Sequence, residues 1–460
     1  MIKKAYIMPH PPIIVPEIGG VRQREALITV EGCQRAAHDI FNEAPDTIII
    51  ISPHGPSYSN VVCIAGDSSL KGDFGSFGHS KMTYEFQNDT VLAELISKEM
   101  EESGIYTVIN DNTAQSEYGI DPSLDHGALV PLYFVQKEYR DFKLVHMATA
   151  LPGAVELYTC GMAIQKAATV YGKKVLLIAS SDLSHRLTDD GPYEYAPEGA
   201  EYDRFVVNSI KNKEFAEFLD VNLHMRECAG ECGHRAISIA TGLFENFTCN
   251  TMVYSYEGPF GVGYMNALIS IEDSGPSVLK QYKEIRNLKS AEARKNESHY
   301  VRLARKTIEQ YIKTGKIPKP AKTGDERRAT FVSIKKNGRL RGCIGTISPT
   351  TDCVENEIID NAIKAATEDP RFSPITEDEL QELTISVDVL FEPEKIKSRD
   401  MLDVREYGVI VTKGLKRGLL LPNLEGIDTV EEQINIALKK GGIASDENYT
   451  MERFKVVRHE

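Results

Sequence analysis

Thr47-Ile48-Ile49-Ile50-Ile51-Ser52-Pro53-His54-Gly55 is the stretch on which the reading of this chain turns. Four successive isoleucines suit a strand buried on both faces of a sheet, where no polar alternation is needed. Pro53 ends the run, and His54 stands just beyond it. The same grammar recurs outward from here. Residues 5–8 are apolar and lead into Pro9-His10. Residues 143–149 form another such run. Residues 174–180 lead into Ser180-Ser181-Asp182-Leu183-Ser184-His185. Between these runs, residues 22–42, 89–103, 155–171 and 200–219 carry helical periodicity. Strands alternating with helices predict a layered α/β domain built on a central mixed sheet.

In open α/β sheets, ligand sites lie outside the carboxyl ends of the strands. His10, His54 and His185 all follow strand-like runs, so they can converge although they are far apart in sequence. His126 sits in Leu124-Asp125-His126-Gly127-Ala128-Leu129. Imidazole suits zinc, copper, iron and nickel, so the pattern reads as a metal centre or a general-base cluster. Set against this is the ordinary reading of a histidine as a surface or satisfied core residue. His38, His79, His146 and His224 share no such context and are read as structural. Cys228 and Cys232 are spaced C-x3-C with His224 and His234 nearby, which leaves a zinc site as an alternative.

The composition shifts at residues 273–297, which are polar and contain the breaker Ser274-Gly275-Pro276. This stretch reads as a linker, with room for a short helix, between a first domain at 1–272 and a second at 298–460. The second opens with an amphipathic helix at 298–314, then a loop at 316–325. A strand at 329–334, a turn at Asn337-Gly338 and a strand at 340–347 follow. A helix at 354–368, strands at 384–390 and 408–413, and a helix at 429–440 complete an α+β order. Leu340-Arg341-Gly342-Cys343-Ile344-Gly345-Thr346 is its outstanding motif. Cys343 reads either as a nucleophile beside Arg341 or as a buried structural thiol. Arg341 and Arg371 read as binders of an anion or of a partner's carboxylate.

With 460 residues the chain is too long for one ordinary core. Its net charge of -14 and lack of a basic block leave no face suited to nucleic acid. Eight irregularly spaced cysteines point to reduced thiols. Pro9, Pro11 and Pro12 break any apolar leader, and no run reaches the ~20 apolar residues of a membrane span. Cytoplasm is the expected compartment.

Met8-Pro9-His10-Pro11-Pro12, Ser52-Pro53-His54-Gly55, Asp125-His126-Gly127, Ser181-Asp182-Leu183-Ser184-His185 and Glu231-Cys232-Gly233, in this order, resemble class III extradiol dioxygenase catalytic subunits and the related Memo proteins. In the dioxygenases two histidines and a glutamate hold non-haem Fe(II). The resemblance implies His10 and His54 as ligands, His185 as acid/base, Asp182 orienting it or lying in the same pocket, and His126 touching substrate. At the third ligand the chain departs from the dioxygenases. Memo proteins carry cysteine before the glycine, and Cys232 matches it, with Glu231 one residue earlier. Neighbours in extended chain point to opposite sides, so one of the two reaches the metal. Motif register favours Cys232, and Glu231 is the alternative. The implied ion is Fe(II) first, with zinc or copper as alternatives.

Leu340 to Thr346, Asp369-Pro370-Arg371-Phe372 and Gly418-Leu419-Leu420-Leu421-Pro422 resemble the AMMECR domain family. The fused arrangement is similar to the AmmeMemoRadiSam system protein A family, whose implied partner is a radical S-adenosylmethionine protein. The implied activity is that of an extradiol-dioxygenase-like oxidoreductase on an aromatic diol or a modified aromatic group. The alternatives are a metal-binding adaptor serving the radical enzyme, or another metal enzyme reusing the pocket.

Overall fold

Every residue of the strand Thr47–Ser52 is buried, so the isoleucine run lies inside a sheet covered on both faces. The computed structural model describes residues 1–56, 58, 60–111, 113, 121–151, 153–319, 326–336, 338–424 and 426–460. Part of the loop expected at 316–325, and Asn337 of the expected turn, lie outside the described residues. The chain divides into two compact units, Met1–Ile285 and Arg286–Glu460.

Among the described residues of the first unit the strands are β1 (Lys4–Met8), β2 (Thr47–Ser52), β3 (Val62–Ala65), β4 (Ser69–Phe74), β5 (His79–Gln87), β6 (Thr107–Asn110), β7 (Lys143–Thr149), β8 (Val175–Ser180), β9 (Phe247–Glu257) and β10 (Tyr264–Ser274). Eight of them form one mixed sheet in the order β6-β3-β7-β2-β8-β1-β10-β9. The central β7, β2, β8 and β1 run parallel, so their carboxyl ends share one edge. β10 lies antiparallel to β1 and to β9. Helices cover both faces, and each face packs its own apolar cluster. The strands expected at 47–52 and 143–149 match β2 and β7. The single helix expected over 200–219 is instead two, Pro197–Asn212 and Phe215–Leu219. The break is at Lys213, whose φ of 66° is incompatible with continuing a right-handed helix.

The second unit adds β11 (Thr330–Lys336), β12 (Arg339–Gly345), β13 (Leu383–Leu390), β14 (Glu394–Ile396), β15 (Gly408–Lys413), β16 (Lys416–Leu420), β17 (Thr450–Phe454) and β18 (Val456–His459). They form two antiparallel four-stranded sheets, β12-β11-β13-β18 and β14-β17-β15-β16. Helices His299–Thr314 and Val354–Thr367 share a core with the first sheet, and Val430–Gly441 packs with the second. This is an α+β arrangement. No helix among the described residues is long and apolar enough to cross a membrane.

A helix, Val278–Asn296, occupies the polar stretch and runs through the boundary between the units. Val278 and Tyr282 are buried in the first unit's core. Arg294 donates to Gln381 and to the Leu380 carbonyl within the second unit. Each unit thus holds its own end of the helix and its own core. Two fragments cut between Ile285 and Arg286 are each expected to melt cooperatively in a scanning calorimeter. A fragment without a cooperative transition would contradict the division.

Candidate metal centre

β1 ends at Met8, and the chain turns so that His10 lies 1% exposed beyond the sheet edge. His54 lies just past the end of β2. Their Nε2 atoms stand 3.1 Å apart. The Cys232 thiol reaches the same point from the loop before helix His234–Gly242, with Sγ 3.4 Å from His10 Nε2. The ligand atoms of His10, His54 and Cys232 all lie within 4.8 Å of one another.

The hydrogen bonds fix which nitrogen of His10 is free to ligate. The Ser180 hydroxyl, at the end of β8, donates to the Gly127 carbonyl. Its single proton is then committed, so at 2.9 Å it accepts from His10 Nδ1–H. Nε2 therefore carries the lone pair, and it faces His54 and Cys232. The His10 backbone N–H donates to Asp182 Oδ1 at 2.8 Å. Asp182 thus holds His10, and it lies in the pocket rather than orienting His185. Burial pushes its carboxyl up to about 7, against the pull of that N–H.

A second layer of contacts supports His54. Ser52 Oγ accepts the His54 N–H at 3.2 Å and donates to Asp125 Oδ1 at 2.5 Å. Asp125 also caps the helix His126–Glu138 by accepting from Ala128 N–H, and its other oxygen lies 3.2 Å from His146 Nε2. Burial raises the Asp125 carboxyl, but His146 and Ser52 outweigh burial and hold it well below the usual carboxylate range. Gly127 is required here: a Cβ would stand 2.4 Å from Ser52 Oγ.

His126 stacks on His54, with ring centroids 4.4 Å apart, and meets Phe77 edge-on at 5.3 Å. His185 points Nε2 to within 3.8 Å of Cys232 Sγ, and its ring stacks on Tyr193. Burial lowers the pKa of all four imidazoles, His126 to about 4. They are therefore neutral at pH 7, the form in which a histidine ligates a metal or accepts a proton. Burial, with Asp182 and Glu231 nearby, pushes the Cys232 thiol up. A coordinated cation would reverse that, because metal binding deprotonates a thiol. Two neutral imidazoles and a thiol aimed at one point fit a borderline or soft divalent ion.

Glu231 is not in this group. Its Oε1 accepts from Arg226 at 2.6 Å, and its Oε2 accepts the His234 N–H at 2.6 Å, so both oxygens are used. Adjacent side chains diverge here, and Cys232 is the one turned to the histidines. Of the site's supporting groups, Ser52, Ser180 and Asp125 entered the sequence reading only as members of motifs with no role assigned, and His146 was read as structural. His146 carried a signal all the same, as a lone polar residue inside the apolar run Lys143–Thr149.

In the second unit, Gly342 presses against the helix Val354–Thr367, where a Cβ would meet the Ala365 carbonyl at 2.1 Å. Arg341 turns its guanidinium to Glu379, at 3.0 and 2.9 Å, and to the carbonyls of Ser373 and Pro374. Its donors are engaged by the protein, which leaves little for an anion or for Cys343. Asp369 accepts the Cys343 N–H at 2.8 Å and pairs with Arg371, so these two residues cover the open edge of β12. Cys343 accepts from Ser333 Oγ at 3.3 Å, and both line a cavity of about 960 Å³ with Lys440, Arg458 and Leu420.

Comparison with known proteins follows the same division. Residues 4–266 match the family described as the catalytic LigB subunit of aromatic ring-opening dioxygenase, and residues 301–459 match AMMECR1. The chain belongs to the LigB-type aromatic ring-opening dioxygenase family through its first unit, with an AMMECR1 domain behind it. A Clostridium acetobutylicum protein is 41% identical over 99% of this chain and 98% of its own length. A Thermotoga maritima protein is 47% identical over 35% of this chain and 98% of its own length. A Pyrococcus horikoshii crystal structure covers 35% of this chain and 88% of its own, at 34% identity and a TM-score of 0.33. An Escherichia coli structure covers 58% of this chain and 99% of its own, at 12% identity and a TM-score of 0.40.

Two outcomes are expected from these contacts. Cys232→Ala should lose metal, measured by elemental analysis of anaerobically purified protein. Glu231→Gln should keep metal but lose about 3 kcal/mol of stability, because it breaks a buried ion pair with Arg226. Equal metal loss in both variants would contradict the assignment. The second expectation concerns pH. Burial raises the Glu379 carboxyl, but Arg341, the Thr376 N–H and Lys336 outweigh it and bring it down to about 2, from an ordinary 4.5. A depressed folded pKa gives stability that is present above the unfolded value and lost as pH falls through the folded one. The second unit should therefore lose stability from about pH 4.5 downward. Glu379→Gln should flatten that slope in thermal melts recorded against pH, and an unchanged slope would contradict it.

Proposed function

We propose that the first unit is a metal-dependent, extradiol-dioxygenase-like oxidoreductase that acts on an aromatic diol or a modified aromatic group. The observation that carries this reading is the convergence of His10, His54 and Cys232 beside a neutral His185, in a domain of the LigB family. Fe(II) is the proposed ion, held by those three side chains. When bound, it supplies the one-electron chemistry that O2 needs to react with an organic ring. The chain's own groups do the rest. His185 accepts the proton of a substrate hydroxyl at Nε2, which faces the ligand cluster. His126, stacked on His54 and met edge-on by Phe77, gives the site an aromatic wall against which a flat ring would lie. Ser180 and Asp182 hold His10 in register throughout.

A second reading is favoured by one observation. The thiol stands where ring-opening dioxygenases of this type carry a carboxylate, and thiolate suits zinc or copper at least as well as iron. On that reading the unit is a metal-binding adaptor without ring-opening activity. In both readings the chain works in the cytoplasm beside a radical S-adenosylmethionine protein. None of its eight cysteines is joined in a disulfide, as a reducing compartment would leave them. It has no C-x3-C-x2-C run of its own, so an iron–sulfur cluster of that kind would sit on the partner.

The test is O2 uptake by anaerobically purified, Fe(II)-loaded protein offered a panel of catechols. Uptake is expected, and His185→Ala should retain iron while turnover falls by about 100-fold or more. Full iron occupancy with no uptake on any diol would favour the adaptor.

A further inference from the structure

Among the described residues, a second group of three ligating side chains lies outside the centre already described: Glu198, His224 and Cys228. Glu198 is in the first turn of the helix Pro197–Asn212. His224 and Cys228 are four residues apart on the short helix Leu223–Ala229, so they share one face a turn apart. Cys228 Sγ is 3.7 Å from each ring nitrogen of His224. One ligand atom from each residue lies within 4.8 Å of the others. This trio faces solvent: His224 is exposed, and Glu198 and Cys228 are partly so.

We infer that Glu198, His224 and Cys228 form a second, solvent-facing site for a zinc-class divalent cation. The donor set is one thiolate, one imidazole and one carboxylate. Three such protein ligands with a fourth position open to water make a tetrahedral zinc site. The carboxylate makes the set harder than one of thiolates alone, which disfavours Cu(I) and leaves Zn(II) the best match. On binding, the Cys228 thiol gives its proton to solvent, and the metal–sulfur bond replaces the S–H bond with no change in oxidation state.

The position gives the site a consequence. Both helices that supply ligands are tied to the loop carrying His185. Ala196, at the start of the first helix, donates its N–H to the Arg186 carbonyl at 3.1 Å. Gly199 packs so closely on Ser184 that a Cβ would stand 2.5 Å from its hydroxyl. From the other helix, the Ala229 carbonyl accepts from the His185 N–H and from Ser184 Oγ, each at 3.0 Å. Three residues beyond Ala229 stands Cys232. A cation bridging Glu198 to His224 and Cys228 would therefore clamp the two helices around the segment that presents His185 and Cys232. The outer site braces the inner one.

The experiment uses the full metal-free chain and Zn(II) alone. Cys228 alkylation by iodoacetamide, mapped by mass spectrometry, should slow by about tenfold or more at saturating zinc, because coordination removes the free thiolate. Zinc stoichiometry by competition with a chromogenic chelator should be two per chain and fall to one in both Cys228→Ser and His224→Ala. Amide hydrogen exchange at His185 should slow in the wild type when the second equivalent binds, and not in the variants. Unchanged Cys228 alkylation at saturating zinc overturns the site in the wild type, with no variant needed. Unchanged stoichiometry in both variants overturns it as well. Loss of one equivalent without any change in exchange at His185 overturns the bracing.

Discussion

The Ser180 hydroxyl is the contact on which the inner centre depends. It sits at the end of a buried parallel strand, gives its one proton to the Gly127 carbonyl, and so must accept from His10 Nδ1. That choice places the free lone pair of His10 toward His54 and Cys232. Three chain segments meet in this one hydroxyl: the ends of β8 and β1, and the first turn of the helix His126–Glu138. In a water-poor interior, an unpaired hydroxyl or imidazole is costly, so each partner enforces the geometry of the next. Ser52 does the parallel work for His54 through Asp125, whose carboxylate also starts the helix that carries His126. A metal centre supported this way depends as much on these oxygens as on its ligands.

The sheet explains why such distant residues meet. Parallel strands put their carboxyl ends on one edge, and β1, β2, β7 and β8 are adjacent in the sheet. The isoleucines of β2 and the apolar run of β7 made those strands legible in the sequence, because strands buried on both faces need no alternation. The proline after β2 and the histidine after it were legible as an edge for the same reason. β9 and β10 were not, since one long antiparallel hairpin with mixed faces leaves a weaker pattern. The break at Lys213 was hidden because its cause is a backbone conformation that the residue type does not announce.

Within the site, side-chain type was readable and side-chain partnership was not. Motif register favours Cys232 and keeps Glu231 as the alternative, without a local signal that separates the two neighbours. The deciding fact is that Arg226 and the His234 N–H together occupy both oxygens of Glu231. Asp182 reads as the orienter of His185, three residues along, or as a neighbour in the same pocket, and the contact that its carboxylate makes is with the backbone N–H of His10. In the second unit, Arg341 reads as a free cation beside Cys343, whereas Glu379 takes its guanidinium. In all three cases the missing information is a contact between segments distant in sequence or a competition between near neighbours, and neither leaves a local signal.

The account centres on a mixed sulfur and nitrogen donor set in a fold family whose ring-opening members use oxygen and nitrogen. The direct measurement is X-ray absorption at the metal edge of the anaerobically loaded full chain. One sulfur scatterer at about 2.3 Å alongside imidazole nitrogens is the predicted first shell. The sulfur contribution should vanish in Cys232→Ala. A first shell of nitrogen and oxygen alone in the wild type would contradict the account, and would return Glu231 or another carboxylate to the position assigned to the thiol.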